Sequence, residues 1–278
     1  MLKSRERTFF RLLVETVYAN PFGSDQGRIA RLAGHEGSNP EVSQANRYGE
    51  LMPALERHIA SLDARGLDRI ERFSGDDPAL MRLVYLFHVY QRSIPGFDAL
   101  NVHQTRDRPG RSELGWTRDL LATLEDRGFA PAQASRTIAL YYQVRRAYYV
   151  IERNLVGRSA PMAELRRALW DSVFTCDLAT YAACLWGRMQ DFSTLLLGET
   201  GTGKGSAAAA IGRSGPIAFD AQRATFASGI EATFTATNLS EFPEGLIESE
   251  LFGHRKGAFT GAVEHHEGLF ARCQDQGT

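Results

Sequence analysis

Cysteine is scarce in this chain. Its 278 residues hold three, Cys176, Cys184 and Cys273, and no CxxC pair. An odd count without that spacing argues against both a disulfide framework and a zinc site, and fits buried or free reduced thiols. Long apolar runs are also missing: none nears the roughly 20 residues that cross a bilayer, and the densest, Leu83 to Tyr90, is interrupted by His88. The opening MLKSRER is not followed by an apolar segment, so no secretory signal is expected. No excess of one charge is present: 32 Lys and Arg face 33 Asp and Glu, for a net charge of -1. Such a balance gives no global pull toward nucleic acid or an anionic membrane. Repeats and low-complexity tracts are not seen. The expectation is a cytoplasmic protein of about two domains, with no membrane partner.

What is present divides near residue 154. Before it, apolar residues recur at helical spacing. Leu2 to Ala19 carries Phe9, Phe10, Leu12, Leu13, Val14 and Val17 and ends before Asn20-Pro21. Glu41 to Ala64, Pro78 to Gln91, Ser112 to Arg127 and Ala132 to Asn154 are further helices. Gly23 to Asn39 reads as a Gly-rich loop and Thr105 to Arg111 as a charged break. Asp76 or Asp77 caps the third helix. The last helix is rich in aromatics, with Tyr141, Tyr142, Tyr148 and Tyr149 beside Arg145 and Arg146. Either it is a stacking surface for a ligand, or it is a core face with arginines snorkelling beside it; the second is expected. Residues 1–153 are thus predicted to form a mostly α-helical N-terminal domain, a candidate regulatory unit whose ligand the residues do not name.

After residue 154 helix and strand signals alternate. Met162 to Phe174 is helical. Ser193 to Leu197 is a short apolar run of the kind that forms a buried parallel strand. Ser206 to Gly212 is an Ala-rich helix, and Thr233 to Thr237 alternates like a second strand. Between the first strand and its helix lies Gly198-Glu199-Thr200-Gly201-Thr202-Gly203-Lys204, which fits the Walker A pattern GxxxxGK. Glycines there let backbone N–H groups turn inward as an anion nest. The helix that follows adds its positive end, and Lys204 would place an ammonium on the β- and γ-phosphates. A tight turn with a solvated lysine is the bland alternative; the strand-and-helix context favours the phosphate loop. Gly205 stands where a magnesium-binding hydroxyl is usual, with Ser206 one place later.

Some fifty residues on comes Glu248-Ser-Glu-Leu-Phe-Gly-His-Arg-Lys-Gly-Ala-Phe-Thr-Gly-Ala262. Leu246 to Phe252 can form an amphipathic helical segment that stops at Gly253. Gly257-Ala258-Phe259-Thr260-Gly261-Ala262 follows, small residues around one large ring. Small residues with two glycines make a poor helix and a mobile loop. Phe259 is then either an exposed tip that needs a partner or the packed centre of a core turn; from the residues alone both stand.

GAFTGA preceded by ESELFGH, together with GETGTGK, resembles the sigma-54-dependent transcriptional activators, also called bacterial enhancer-binding proteins. Residues 154–278 look like the N-terminal half of their AAA+ module, so the resemblance implies an α/β P-loop (AAA+) partial domain at the C-terminus. It implies ATP at Gly198 to Gly205, with Mg2+ in the complete module. That family commonly has Glu after the Walker lysine, so Gly205 departs from it too. Val156 and Gly157, in Leu155-Val-Gly-Arg-Ser159, resemble the segment beside the adenine. Asn238 matches the Asn that relays the γ-phosphate state to the GAFTGA loop. Gly257 to Ala262, above all Phe259 and Thr260, would contact the sigma-54 RNA polymerase holoenzyme, and the complete form would assemble as a homo-oligomeric ring.

Thr175 to Gln190 and Gly212 to Ile230 are longer than the family pattern and read as surface insertions. The Asp-Glu pair of Walker B, the sensors, the arginine fingers and a DNA-binding helix-turn-helix find no counterpart. Glu248, Glu250 and Glu264 do not replace them, so no catalytic residue is assigned. The expectation is a truncated chain that hydrolyses ATP negligibly and does not fold stably beyond residue 154. As an alternative to the activator ATPase, it would act only by binding nucleotide, sigma-54 or related ring subunits.

Overall fold

In the computed structural model of the chain, residues 1–23, 48, 51–106, 114–175, 177–186, 188, 193–259 and 261–274 are described. The helices are α1 (Ser4–Val17), α2 (Leu51–Asp63), α3 (Asp77–Arg106), α4 (Trp116–Asp126), α5 (Pro131–Asn154), α6 (Ala160–Phe174), α7 (Lys204–Gly212), α8 (Ile247–Phe252) and α9 (Leu269–Gln274). Two short antiparallel pairs accompany them: β1 (Phe219–Asp220) with β2 (Thr225–Phe226), and β3 (Gly253–His254) with β4 (His266–Glu267). Among the described residues no helix is long and apolar enough to cross a membrane. The Gly-rich loop read over Gly23 to Asn39, the start of the helix read from Glu41, most of the charged break, and Cys176 lie outside the described residues.

The helical stripes read from the sequence meet in one core. Phe10 and Leu13 of α1, Leu55, Ile59 and Leu62 of α2, Met81, Val84 and Tyr85 of α3, Leu124 of α4, and Ile138 and Tyr142 of α5 are all buried in it. Polar anchors set the order of the helices. Asp77, at the start of α3, accepts from the Leu2 N–H at 3.1 Å and from Arg7 Nε at 2.8 Å, tying α1 to α3. Arg127 donates to Asp63 Oδ2 at 2.9 Å and lies over the Tyr85 ring at 4.8 Å, joining the ends of α2 and α4.

α3 runs fifteen residues beyond the expected end at Gln91, straight through Pro95. Proline removes a backbone donor and usually stops a helix. Here packing outweighs that cost. Phe97, two residues later, is fully buried and lies edge-on to Trp116 at 5.0 Å and stacked on Tyr142 at 5.7 Å.

α5 is the element that both halves of the chain share. Tyr142 faces the first core, while Val144, Ala147, Tyr148 and Ile151 pack with Trp170 and Phe174 of α6 and with Ala207 and Ala210 of α7. The expected core face is correct, but Arg146 does not snorkel. It is fully buried, donating from Nε to the Arg213 carbonyl at 2.8 Å and from Nη2 to the Gly215 carbonyl.

Four sequence readings are corrected. Ser193 to Leu197 forms no strand: Leu195 and Leu197 are 80% and 84% exposed. Thr233 to Thr237 forms none either, because Ile230–Thr233 is a 3-10 turn and the Phe234 ring packs over Gly212. An apolar strand needs paired neighbours to satisfy its backbone, and among the described residues no strand pairs with either stretch, so the parallel sheet expected of the P-loop fold is not formed. Gly212 to Ile230 is not a surface insertion. Its β1–β2 hairpin drives Phe226 against Tyr142 at 4.2 Å, and Ile217, Ala224 and Ile230 are buried with it. Thr175 to Gln190 is not purely superficial, since Tyr181 is fully buried against Phe174 at 5.1 Å.

His88 gives a test of this packing. Burial first, then nearby Arg92 and Arg127, hold its imidazole down at about 4, although Asp63 pulls the other way. Its Nε2 is 3.9 Å from Glu56 Oε1. The unfolded chain takes up this proton near pH 6.5 and the folded one only near pH 4, so stability is lost as pH falls through that window. Chemical denaturation at pH 7 and pH 5 should show wild type losing about 2 kcal/mol more than His88→Gln. Equal losses would contradict the burial of a neutral imidazole.

Candidate functional site

The glycine-rich loop Gly198 to Gly203 lies at the foot of α7. Gly203 is the N-cap of that helix with φ 91°, in the left-handed region where a side chain is strained, and no side chain caps the first turn. The first N–H groups of a helix have no partner within it, so those of Lys204, Gly205 and Ser206 face outward beside the positive end of the dipole. Lys204 Nζ folds back over the loop, donating to the Gly198 carbonyl at 2.8 Å and the Glu199 carbonyl at 2.6 Å. Thr202 Oγ1 donates to the same Glu199 carbonyl at 2.8 Å. Gly198, Glu199, Thr200, Gly201, Thr202 and Gly203 are exposed, which leaves the loop open to solvent. Gly205 is exposed too, with nothing within 4 Å of a Cβ there, so its small size answers no local crowding. This donor set fits a triphosphate: a lysine ammonium, open helix-end amides and a glycine-turned backbone.

The other end of α7 is held from α5. Arg146 takes the carbonyls of Arg213 and Gly215, and Gln143 Nε2 donates to the Ser214 carbonyl at 3.0 Å and to the Tyr181 hydroxyl at 2.7 Å. The Arg146 guanidinium lies over the Tyr142 ring at 4.9 Å, and burial pulls it below its ordinary value. Burial also pushes the Tyr181 hydroxyl up to about 12. Sequence reasoning missed this grip. The aromatic and arginine pattern of α5 was visible, but nothing in it says which residues face a helix some sixty positions later.

The Gly257 to Ala262 stretch is the tip of a finger. β3 and β4 pair Gly253 with Glu267 and His254 with His266. Between them Gly257 N–H donates to the Ala262 carbonyl at 2.8 Å, and Ala262 N–H to the Phe259 carbonyl at 3.0 Å. Phe259 is 41% exposed and meets the edge of the His254 ring at 4.9 Å. Of the two readings open in the sequence, the exposed tip is the observed one. Gly257, Ala258 and Gly261 are exposed as well, while Ala262 is buried at the base; Thr260 lies outside the described residues.

A polar clasp that the sequence did not signal steadies the finger. Ser249 Oγ is 2.6 Å from His254 Nδ1, and His266 Nε2 is 3.3 Å from Glu250 Oε2. Phe252 and Phe270, from α8 and α9, meet at 5.3 Å. The expected helical segment Leu246 to Phe252 is α8, and it stops at Gly253 as read.

The bonds of the remaining candidates are local ones. Asn238 caps the 3-10 turn Leu239–Glu241: its Oδ1 accepts from the Ser240 N–H at 3.2 Å and its Nδ2 donates to Glu241 Oε1 at 3.0 Å. Val156 is 83% exposed, and Gly157 gives its carbonyl to Arg166 Nη2 at 2.7 Å.

Comparison with known proteins identifies the class of this region: residues 181–278 match the Sigma-54 interaction domain family. The chain is 45% identical over 98 residues to the hydrogenase transcriptional regulatory protein HoxA of Cupriavidus necator, a match over 35% of this chain and 17% of that protein. It is 35% identical over 125 residues to the nitrogen fixation protein AnfA of Azotobacter vinelandii, over 45% of this chain and 18% of that one. It is also 45% identical over 94 residues to the DNA-binding transcriptional regulator NtrC of Escherichia coli, over 33% and 17%. The chain thus spans less than a fifth of the length of these relatives. No solved structure matches it.

The finger base is a place where one atom decides the geometry. A Cβ on Gly268 would lie 2.3 Å from the Gly253 nitrogen and 2.3 Å from the Phe252 carbonyl carbon, both backbone atoms. Gly268→Ala should therefore unseat β4 and speed proteolysis between residues 253 and 268, while Gly205→Ala, with open space around it, leaves cleavage there unchanged. Equal cleavage of Gly268→Ala and wild type would refute the close approach.

Proposed function

We propose that residues 154–278 are an ATP-binding, sigma-54-interacting module of a transcription regulator. The observation that carries this reading is the pairing, in one short stretch of chain, of a glycine-turned loop at a helix N-terminus with a hairpin finger tipped by the half-exposed ring of Phe259. The family match over 181–278 supports it.

In this reading the amides from Gly201 to Gly205, with Lys204, hold the phosphates of ATP. Lys204 must release the Gly198 and Glu199 carbonyls to do so, exchanging two neutral acceptors for a charged one, and charge-assisted hydrogen bonds are the stronger kind. Glu199 and Thr200 form the lip of the loop, and Val156 and Gly157 stand on the adenine side. Mg2+ would neutralise phosphate charge beside the loop, where Gly205 offers no hydroxyl and Ser206 is the nearest one in sequence. Phe259 and Thr260, carried by Gly257 to Ala262, bind the sigma-54 RNA polymerase holoenzyme, burying an aromatic that water now touches. Asn238 is assigned the relay between the two. Its present bonds to Ser240 and Glu241 are local, so relay requires it to leave them. A homo-oligomeric ring is the assembly this module is proposed to join.

Two measurements on the full chain test this. Labelled ATP should bind wild type at least about tenfold more tightly than Lys204→Ala, the loss of one charged contact. Immobilised chain should capture purified sigma-54, and Phe259→Ala should capture much less. ATP binding unaffected by Lys204→Ala, or equal capture by both forms, would overturn the corresponding half of the reading.

A further inference from the structure

α3 and α5 lie side by side and run in the same direction. Arg82 meets Gln133 near their N-terminal ends, Tyr90 meets Tyr141 in the middle, and Asp98 meets Arg145 further along. Between them opens a cavity of about 460 Å³. The end of α1 around Tyr18 and the Leu178 to Trp186 segment wall it, and Trp170 of α6 also lines it. Volumes of roughly 300–1,000 Å³ with mostly apolar walls and a few polar groups are typical of small-molecule sites.

The polar groups are not neutral in balance. Among the described lining residues there are three arginines, Arg82, Arg136 and Arg145, and no Asp or Glu. Arg145 is already paired, giving both Nε and Nη2 to the carboxylate of Asp98 at 2.6 and 2.7 Å. Arg82 and Arg136 are not matched by a carboxylate among the described residues. Arg82 Nη1 has only the Gln133 amide oxygen, at 3.3 Å, and lies over the Phe129 ring. Arg136 Nη2 has the Ala182 carbonyl, at 3.0 Å, and lies over the Trp186 ring. A guanidinium has five N–H donors, so both keep donors to spare. Gln133 sits one turn before Arg136 on α5, so both arginines belong to the wall beside the first turns of that helix, with Arg136 at its solvent-exposed rim. The rest of the wall, through Leu86, Leu140, Tyr141 and Val144, is apolar or aromatic.

We propose that this cavity is a binding site for a monocarboxylic acid with an apolar body, the body lying between α3 and α5 and the carboxylate between Arg82 and Arg136. An uncharged apolar ligand would leave both cations as they are, and a hydrophilic anion would waste the wall. The site is walled by α3 and α5 of the helical half and by Trp170 and the Leu178 to Trp186 segment from beyond residue 154, and none of its walls is a loop or finger residue of the sigma-54 reading.

Isothermal titration of the full chain with decanoate and with decanol tests it. Decanoate binds one per chain, and decanol binds at least about tenfold more weakly, the loss of a charge-assisted contact. The double change Arg82→Gln with Arg136→Gln brings decanoate down to the level of decanol and leaves decanol as it was. Leu140→Trp fills the cavity and abolishes both; Thr137→Phe, also on the wall, serves where Leu140→Trp fails to give the wild-type circular dichroism. Equal binding of acid and alcohol to wild type, absence of decanoate binding, or decanoate binding that survives a folded cavity-filling variant would overturn the proposal.

Discussion

The three carbonyls that follow the phosphate-loop helix, those of Arg213, Ser214 and Gly215, all accept hydrogen bonds from one face of α5. The last-turn carbonyls of α7, from Ala209 to Gly212, are taken by Arg213, Ser214 and Gly215 themselves, so the turn's own carbonyls need outside donors, and they lie at the partially negative end of the helix. Arg146 answers both needs with one side chain, and Gln143 supplies the remaining bond. Taking a guanidinium fully out of water costs several kcal/mol unless its hydrogen bonds are met; Nη1 of Arg146 is buried without a hydrogen-bond partner, so the compensation rests on the bonds of Nε and Nη2 to the turn after α7. α7 is thereby fixed at the end away from the loop. Its other end keeps open N–H groups, which is what an anion site requires.

α5 has two working faces because of this arrangement. One carries Gln143, Arg146 and Ala147 toward α7 and the turn that follows it. The other, with Tyr141, Val144 and Arg145, lines the apolar cavity against α3. The chain is therefore not a helical domain simply followed by a second one: Phe226 and Ile217, from the stretch after α7, complete the first core beside Tyr142. The finger is built differently. It stands on its own clasp of Ser249, His254, Glu250 and His266 and on the backbone contact between Gly253 and Gly268.

Much of this was legible in the sequence. α1, α5, α6, α7 and α8 lie close to where apolar spacing and glycine stops put them, because a helix is specified by neighbours three and four residues away. The glycine-turned loop before α7 was legible for the same local reason. The GAFTGA stretch was recognisable as a loop, although its burial was not. Strand readings failed at Ser193 to Leu197 and Thr233 to Thr237 because a strand is specified by its partners, which a local apolar pattern does not supply. The true pairs, Phe219 with Phe226 and His254 with His266, are two residues long and too short to leave a period. Arg146 was misjudged because its partners are main-chain carbonyls nearly seventy positions away, and a carbonyl has no letter in the sequence.

Hydrogen exchange read residue by residue in wild type and in Arg146→Ala tests the dependence on this anchor most directly. The account predicts that amides from Ala207 to Gly215 exchange at least about tenfold faster in the variant, the loss of a buried charged contact worth more than 1.4 kcal/mol, while amides of the β3–β4 hairpin keep their wild-type rates. Unchanged protection along α7 would contradict it.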